Sequence, residues 1–296
     1  MKPKTAVAPK RAGRAHGRPR VVVETRVSQL VSPKLTEWIT ELEDAVPRVI
    51  DDSDPEGVHD LRVALRRIRS LLRIVRPVYG TFHTNLIRKE MARVADATGA
   101  LRDEEVLAET LGDLKLQGAA KTGLAAWRSR RKQRLKALRA SVVSLIQSGG
   151  LQAPIAHLRA LLSLPCNPKR DREVRRFARQ IVLEAQANVD DCRSAEVVDV
   201  AGMHVLRIAH KRLRYSIEAF SQVLPPELRA WRDVAAKFQS VLGDLHDHDV
   251  AIEVTRRAAA LRTDTRNATL RALSARRDEI AAKYLHLTGQ VLSGVE

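Results

Sequence analysis

Two stretches of this chain carry cations at intervals of three and four residues. The first reads Gly57-Val-His59-Asp-Leu61-Arg62-Val-Ala-Leu-Arg66-Arg67-Ile-Arg69, and the second reads Gly202-Met-His204-Val-Leu206-Arg207-Ile-Ala-His-Lys211-Arg212-Leu-Arg214. On a helix such steps bring side chains to one face. His59, Arg62, Arg66, Arg69, Arg73 and Arg76 then form a row about 25 Å long, at about 1.5 Å per residue. His204, Arg207, Lys211 and Arg214 form a second row. Guanidinium forks offer paired donors that match phosphate oxygens. A histidine heading each row could add a donor, more strongly when protonated beside an anion. Like charges three or four apart cost about 0.2–0.5 kcal/mol per pair. A row that stacks several such repulsions therefore points to an anionic partner rather than to a solvated helix face.

The two stretches belong to a longer correspondence. Thr98-Gly99-Ala-Leu101-Arg-Asp103-Glu-Glu105-Val106 returns as Leu242-Gly243-Asp-Leu245-His-Asp247-His-Asp249-Val250. Between the paired segments, Arg88 and Arg93 correspond to Arg232 and Lys237. Basic helical stretches near 118–147 and 264–292 close both halves. One internal repeat of about 145 residues accounts for nearly the whole chain after residue 30.

The elements that must hold these rows are helical. Leu61, Leu65, Ile68, Leu72 and Val75 make an apolar stripe about 100° from the first basic row, and Leu206, Leu213, Ile217 and Phe220 make the second. No segment sustains period-two alternation. Ser32-Pro33 predicts a helix start, with Ser as cap and Pro at the first helical position; this helix runs to about residue 50. Further helices are expected near 57–78, 82–98, 103–112, 118–147 and 151–163. Leu164-Pro-Cys-Asn-Pro168 reads as a linker between the halves. Helices near 169–192, 201–222, 226–242, 247–260 and 264–292 follow. Gly99 and Gly243 read as helix ends, and Asp103 and Asp247 as carboxylates at helix starts that could also orient motif arginines. The expected fold is all-α, built as two tandem helical bundles, with halves at about 30–163 and 169–292.

Composition narrows the partner. The 296 residues carry a formal net charge of +17, and aromatic residues are only 3%. The first twenty residues supply seven of those charges and no acid. With Pro3, Pro9, Pro19 and several glycines, residues 1–25 read as a disordered basic tail rather than a targeting peptide. Such a field attracts polyanions without selecting among them. Cys166 and Cys192 alone form no ligand cluster and fit a reducing, cytoplasmic setting. No apolar run approaches the roughly 18 residues of a membrane span. Trp38, Trp127 and Trp231 fall within helical patterns and read as core or contact residues.

Leu245-His246-Asp247-His248-Asp249 suggests a metal site, but Glu104 stands where His248 would be needed in the first copy, so no metal is expected. No serine–histidine–acid arrangement, glycine-rich phosphate loop or carboxylate cluster for magnesium occurs, so no cofactor and no catalysis are expected.

The repeated H-x-x-R-x-x-x-[KR]-R-x-R, each followed about 40 residues later by L/T-G-x-L-x-D-x-[DE]-V, resembles the CHAD domain (conserved histidine α-helical domain). The resemblance covers roughly residues 30–292, within a domain taken as 26–296. It departs modestly from the pattern: Thr98 precedes the first glycine where Leu is usual, and His246 stands where Arg102 sits in the first copy. It implies two four-helix bundles related by a pseudo-twofold axis, with basic side chains lining a central groove or pore. It also implies non-enzymatic binding of inorganic polyphosphate and association with polyphosphate granules. Carried over by position, the implied anion contacts are His59, Arg62, Arg66, Arg67, Arg69, His204, Arg207, Lys211, Arg212 and Arg214. Arg73 extends the first row, and Arg88, Arg93, Arg232 and Lys237 support it from the following helices. The rival reading is a basic helical protein that binds nucleic acid; the tail alone could also bind nucleic acid weakly and non-specifically. Scarce aromatics count against it, since single strands are held by stacking. An enzyme acting on polyphosphate or a triphosphate stands third.

Overall fold

The computed structural model describes residues 25–51, 54 and 56–292. The basic tail read at residues 1–25 lies outside them, apart from Thr25. Among the described residues there are nine helices and no strand beyond an isolated bridge between Arg26 and Glu173. They are α1 (Val27–Ile50), α2 (Gly57–Tyr79), α3 (Thr81–Gly112), α4 (Gly118–Gln147), α5 (Gln152–Ser163), α6 (Val174–Cys192), α7 (Val200–Phe220), α8 (Pro226–Arg256) and α9 (Thr263–Leu292).

In each half, consecutive helices pack on one another, α1 to α4 and then α6 to α9. Helix α5 is additional and lies on α3 and α1. The halves meet where α2 contacts α7, α3 contacts α8 and α4 contacts α9. Both motif helices therefore face each other at the centre. Their apolar stripes are buried as the spacing predicts: Leu61, Leu65, Ile68, Leu72 and Val75 on α2, and Leu206, Leu213, Ile217 and Phe220 on α7. With those stripes turned into the bundles, the basic rows are left on the faces between them. A smaller apolar cluster around Leu107, Leu111, Trp127 and Leu273 closes the α3–α4–α8–α9 end. Trp38 and Trp231 pack half-buried against the main core.

Helix α6 starts at Val174 rather than near 169 and α8 ends at Arg256 rather than near 260; at three other boundaries a tertiary contact outweighs a local signal. Helix α1 starts at Val27, six residues before Pro33. Its first turn is capped from the other half of the chain: Asp171 accepts the Ser28 N–H at 3.0 Å and the Ser28 hydroxyl at 2.5 Å. Those bonds satisfy a free amide of the first turn, so the helix can start ahead of Ser32. Helices α3 and α8 each run unbroken through the glycine read as a helix end, Gly99 and Gly243. An interior glycine costs about 1 kcal/mol relative to alanine. Burial of Met91, Val94, Leu101, Leu107 and Leu111 on both sides of Gly99 exceeds that. Asp103 and Asp247 consequently sit inside helices rather than at their starts. By contrast, Gly80 between α2 and α3 is a true stop, at φ +94°, where a side chain would strain the backbone.

Candidate anion-binding site

Between α2, α3 and α7 lies a cavity of about 340 Å³. Helix α2 presents Arg62, Arg66, Arg69 and Arg73 to it, α3 presents Arg88, and α7 presents Lys211 and Arg212. The remaining lining is Leu65, Ser70, Ala95, Thr98, Ile208 and Tyr215. Seven cations therefore share one small space, and no carboxylate lines it.

The arginines are positioned without being neutralised. Arg62 Nη1 donates to the Thr98 carbonyl. Arg88 Nε donates to the Arg69 carbonyl at 3.1 Å, and its Nη1 to Asn85 Oδ1 at 3.1 Å. Arg66 lies over the Tyr215 ring, 5.7 Å from its centre. Dipoles and a ring face orient these guanidinium groups while their charges remain available. The Nε atoms of Arg66 and Arg69 are buried with no hydrogen-bond partner, as are those of Arg207 and of Arg214, although Arg214 has the Glu218 carboxylate at ion-pair distance. Buried donors of this kind are costly unless something accepts from them.

The electrostatics agree. Lys211 is pushed down to about 8 by burial, helped by Arg207, Arg66, Arg62 and Arg69. Arg73 is lowered to about 10 by burial and by Arg212, Arg88 and Arg76. Burial also lowers Arg62, against a partial offset from Asp103, and lowers Arg207 against Asp247 and Asp103. All four groups pay for being charged in this place. An anion in the cavity would reverse that penalty.

The sequence profile of the CHAD domain matches residues 34–256. The chain belongs to the CHAD domain family. Its fold is similar to the crystal structure of the CHAD domain from the plant Ricinus communis, at TM-score 0.71 and 22% identity over 90% of this chain and 92% of that one. It is also similar to PptA from Streptomyces chartreusis, at TM-score 0.73 and 17% identity over 91% of this chain and 100% of that one. No curated protein sequence matches this chain.

This CHAD domain does not use every residue of its motif alike. His59 is exposed at the start of α2, outside the cavity lining. Arg67 is exposed and pairs with Glu41 on α1 at 3.1 Å, because it sits about 100° round the helix from Arg66. Arg93 and Lys237 are exposed and do not line the cavity. His204 turns its ring to His246, with Nδ1 atoms 3.4 Å apart. Burial, then Arg207 and Lys211, lowers the His204 pKa. His246 is held at about 4 by burial, Arg207 and His204. The pair is thus biased towards neutral imidazoles, each of which keeps one N–H donor. Arg207 is close enough to Lys211 to disfavour its charge but is not in the cavity lining.

Arg214 and Arg232 are drawn away by a residue that the motif comparison passed over. Glu218 lies 3.4 Å from Arg214 and 3.6 Å from Arg232, and Asp233 also takes Arg232 at 2.7 Å. At the shared offset, Glu218 stands where α2 carries Arg73. The signal was present in the second row, which stops at Arg214 whereas the first continues to Arg76. Tyr215 was missed as well. It replaces Ser70 at the matching position, and Arg214 covers its ring from 5.1 Å.

The histidine–aspartate run in α8 does not converge. His246 faces His204, His248 Nδ1 meets the Asp244 carbonyl at 2.8 Å, and Asp249 pairs with Arg277 on α9. Among the described residues no group of three or more His, Cys, Asp or Glu is placed to hold a metal ion, and no helix is long and apolar enough to cross a membrane.

Proposed function

We propose that this CHAD domain binds inorganic polyphosphate without turning it over, holding consecutive phosphate units between α2 and α7. One observation carries the reading: seven cations face a single cavity with no carboxylate among them, and two of the arginines keep a buried Nε with no acceptor. A linear chain of phosphates supplies an acceptor and a charge at every unit and needs no pocket for a base. Family membership points the same way. We extend the proposal to residence in the cytoplasm at polyphosphate granules and to weak nucleic-acid binding by the basic tail.

Nucleic acid fits the cavity less well. A duplex carries its phosphates on a convex surface, whereas these cations lie in a concave space between helices. A single strand would need ring faces for its bases. The one aromatic residue in the lining, Tyr215, is already covered by Arg66 and Arg214. Turnover would need a group to activate water or hold a divalent cation, and the lining offers neither carboxylate nor histidine.

The test is competition on the full-length protein, with labelled long-chain polyphosphate displaced by unlabelled polyphosphate or by duplex DNA at equal phosphate concentration. Polyphosphate is expected to displace far better than DNA. The affinity should fall steeply with salt, with a log–log slope of roughly −5 if seven cations engage. Equal displacement by DNA would favour the nucleic-acid reading. Phosphate released by purified protein with magnesium would favour the enzyme.

A further inference from the structure

A second cavity lies on the opposite side of α7, inside the C-terminal bundle. It measures about 600 Å³ and is walled by α6, α7, α8 and α9. That volume falls within the roughly 300–1,000 Å³ of small-molecule pockets. Its interior is apolar and aromatic, with Leu206 and Leu213 on one side and Trp231, Phe238 and Tyr284 on the others. Phe238 meets Tyr284 edge to face at 6.1 Å.

Of the polar side chains in this wall, Gln186 donates to Asp190, Thr288 donates to the Tyr284 carbonyl and Arg193 pairs with Asp190, whereas His210 keeps a ring nitrogen without a partner. His210 is 6% exposed and stacks flat on Phe238, with centroids 4.6 Å apart and planes at 9°. Its Nδ1 is buried and has no hydrogen-bond partner. At the matching position of α2 the residue is Leu65, which packs with no polar group to satisfy. The imidazole gains a ring contact with Phe238 that a leucine would lack, but at the cost of a buried nitrogen without a partner. Burial, with Arg193, holds its pKa down at about 4, so the ring is neutral near pH 7. At the mouth, Arg193 is taken by Asp190 at 2.6 Å, which leaves no free cation for an acid.

We propose that this cavity binds a small uncharged molecule with a flat apolar body and one hydroxyl group. The rings and leucines take the body, and the His210 imidazole, which lines the cavity, takes the hydroxyl. A hydroxyl suits an imidazole in either tautomer, because it both donates and accepts. A carboxylate would meet a neutral imidazole and the charge of Asp190. This site is chemically unlike the cationic cavity, although α7 walls both: Lys211 and Arg212 face one, His210 and Leu213 the other.

The test uses two fluorescent probes of matched size on the full-length protein, 2-naphthol and 2-methylnaphthalene. Saturable binding of one 2-naphthol per chain is expected, with a raised melting temperature. It should be tighter than 2-methylnaphthalene by roughly three- to tenfold, the worth of one hydrogen bond. His210→Leu should abolish that preference and keep 2-methylnaphthalene binding. Ala235→Phe, which fills the cavity, should abolish binding of both probes, and Val234→Phe serves if the first variant loses its helical signal. Lys211→Ala should leave 2-naphthol binding unchanged while weakening polyphosphate binding, so the two sites fail independently. No saturable binding by the native chain, as for a cavity that holds only water, overturns the proposal. So does binding that survives filling, or a hydroxyl preference that survives His210→Leu.

Discussion

Helices α2 and α7 carry the same motif, yet they treat their cations differently. On α2 the row runs on through Arg69 and Arg73, is joined by Arg88 from α3, and opens into the cavity. On α7 the equivalent stretch is Arg214, Glu218 and, from α8, Arg232, where Glu218 faces both arginines and Asp233 takes Arg232 as well. The fourth basic position differs too: Arg67 pairs outward with Glu41, whereas Arg212 turns inward. One carboxylate in one helix thus shifts the cationic cavity towards the N-terminal half. A matching motif specifies which side chains could meet an anion, and the neighbouring helices decide which of them remain unpaired.

The comparison breaks most directly if the two halves are disarmed separately. Arg66→Ala with Arg69→Ala removes two guanidinium groups whose Nε atoms lack partners. Each charge-assisted contact is worth about 1.5–3 kcal/mol, so affinity for long-chain polyphosphate should fall by about 100-fold or more at fixed salt. Arg214→Ala with Arg232→Ala removes charges already offset by Glu218 and should cost less than about fivefold. Fluorescence anisotropy on both double variants measures this. Equal losses would mean that the halves contribute alike.

Lys211 gives the next largest effect, read through pH. Its pKa of about 8 lies below the ordinary 10.5 because burial and four arginines disfavour the ammonium. Below about pH 8 the folded protein bears the penalty of that buried charge. Between about 8 and 10.5 the unfolded chain still holds the proton that the folded one has released, so stability should rise with pH across that window. Phosphate binding favours the ammonium, so affinity should fall, by up to about tenfold, as pH rises through 8 towards 9. Lys211→Arg makes the position match Arg66 and should flatten both profiles, by titration and by thermal melts. A pH dependence that persists in the variant would assign it to another group.

Glu218 permits a gain rather than a loss. Glu218→Gln frees Arg214, leaves Arg232 to Asp233 alone, and makes the second half more like the first. Affinity should rise by roughly threefold, and the salt dependence should steepen by about one unit of slope as further counterions are released. No change in slope would mean that these arginines cannot reach the ligand even when unpaired.

Much of this was legible in the residues. The all-α class and the core registers of α2 and α7 followed from apolar spacing, since burial enforces that period. The wheel already set Arg67 off the α2 row, and it entered the site only through the family resemblance. Arg212 is off its row as well, yet its long side chain reaches the cavity from the flank. The start of α1 was not legible, because the cap comes from Asp171, 143 residues away from Ser28. The fate of Arg214 depended on a carboxylate one turn along, visible in sequence but outside the motif.

The smallest effect concerns the paired glycines inside α3 and α8, where the halves differ in what surrounds the backbone. A Cβ at Gly243 would meet nothing within 4 Å, while one at Gly99 would touch Arg62 Nη1 at 3.8 Å. Alanine lowers backbone entropy in the unfolded chain and favours the helix by about 0.5–1 kcal/mol relative to glycine. Gly243→Ala should therefore stabilise the protein by about that much in chemical denaturation, with polyphosphate affinity unchanged. Gly99→Ala should gain similarly in stability, but a methyl placed against Arg62 should alter affinity by up to about twofold. A Gly243→Ala variant that is more stable yet binds more weakly would require the phosphate chain to run against α8 at that point. That would extend the site into the second half and undo the asymmetry between the two.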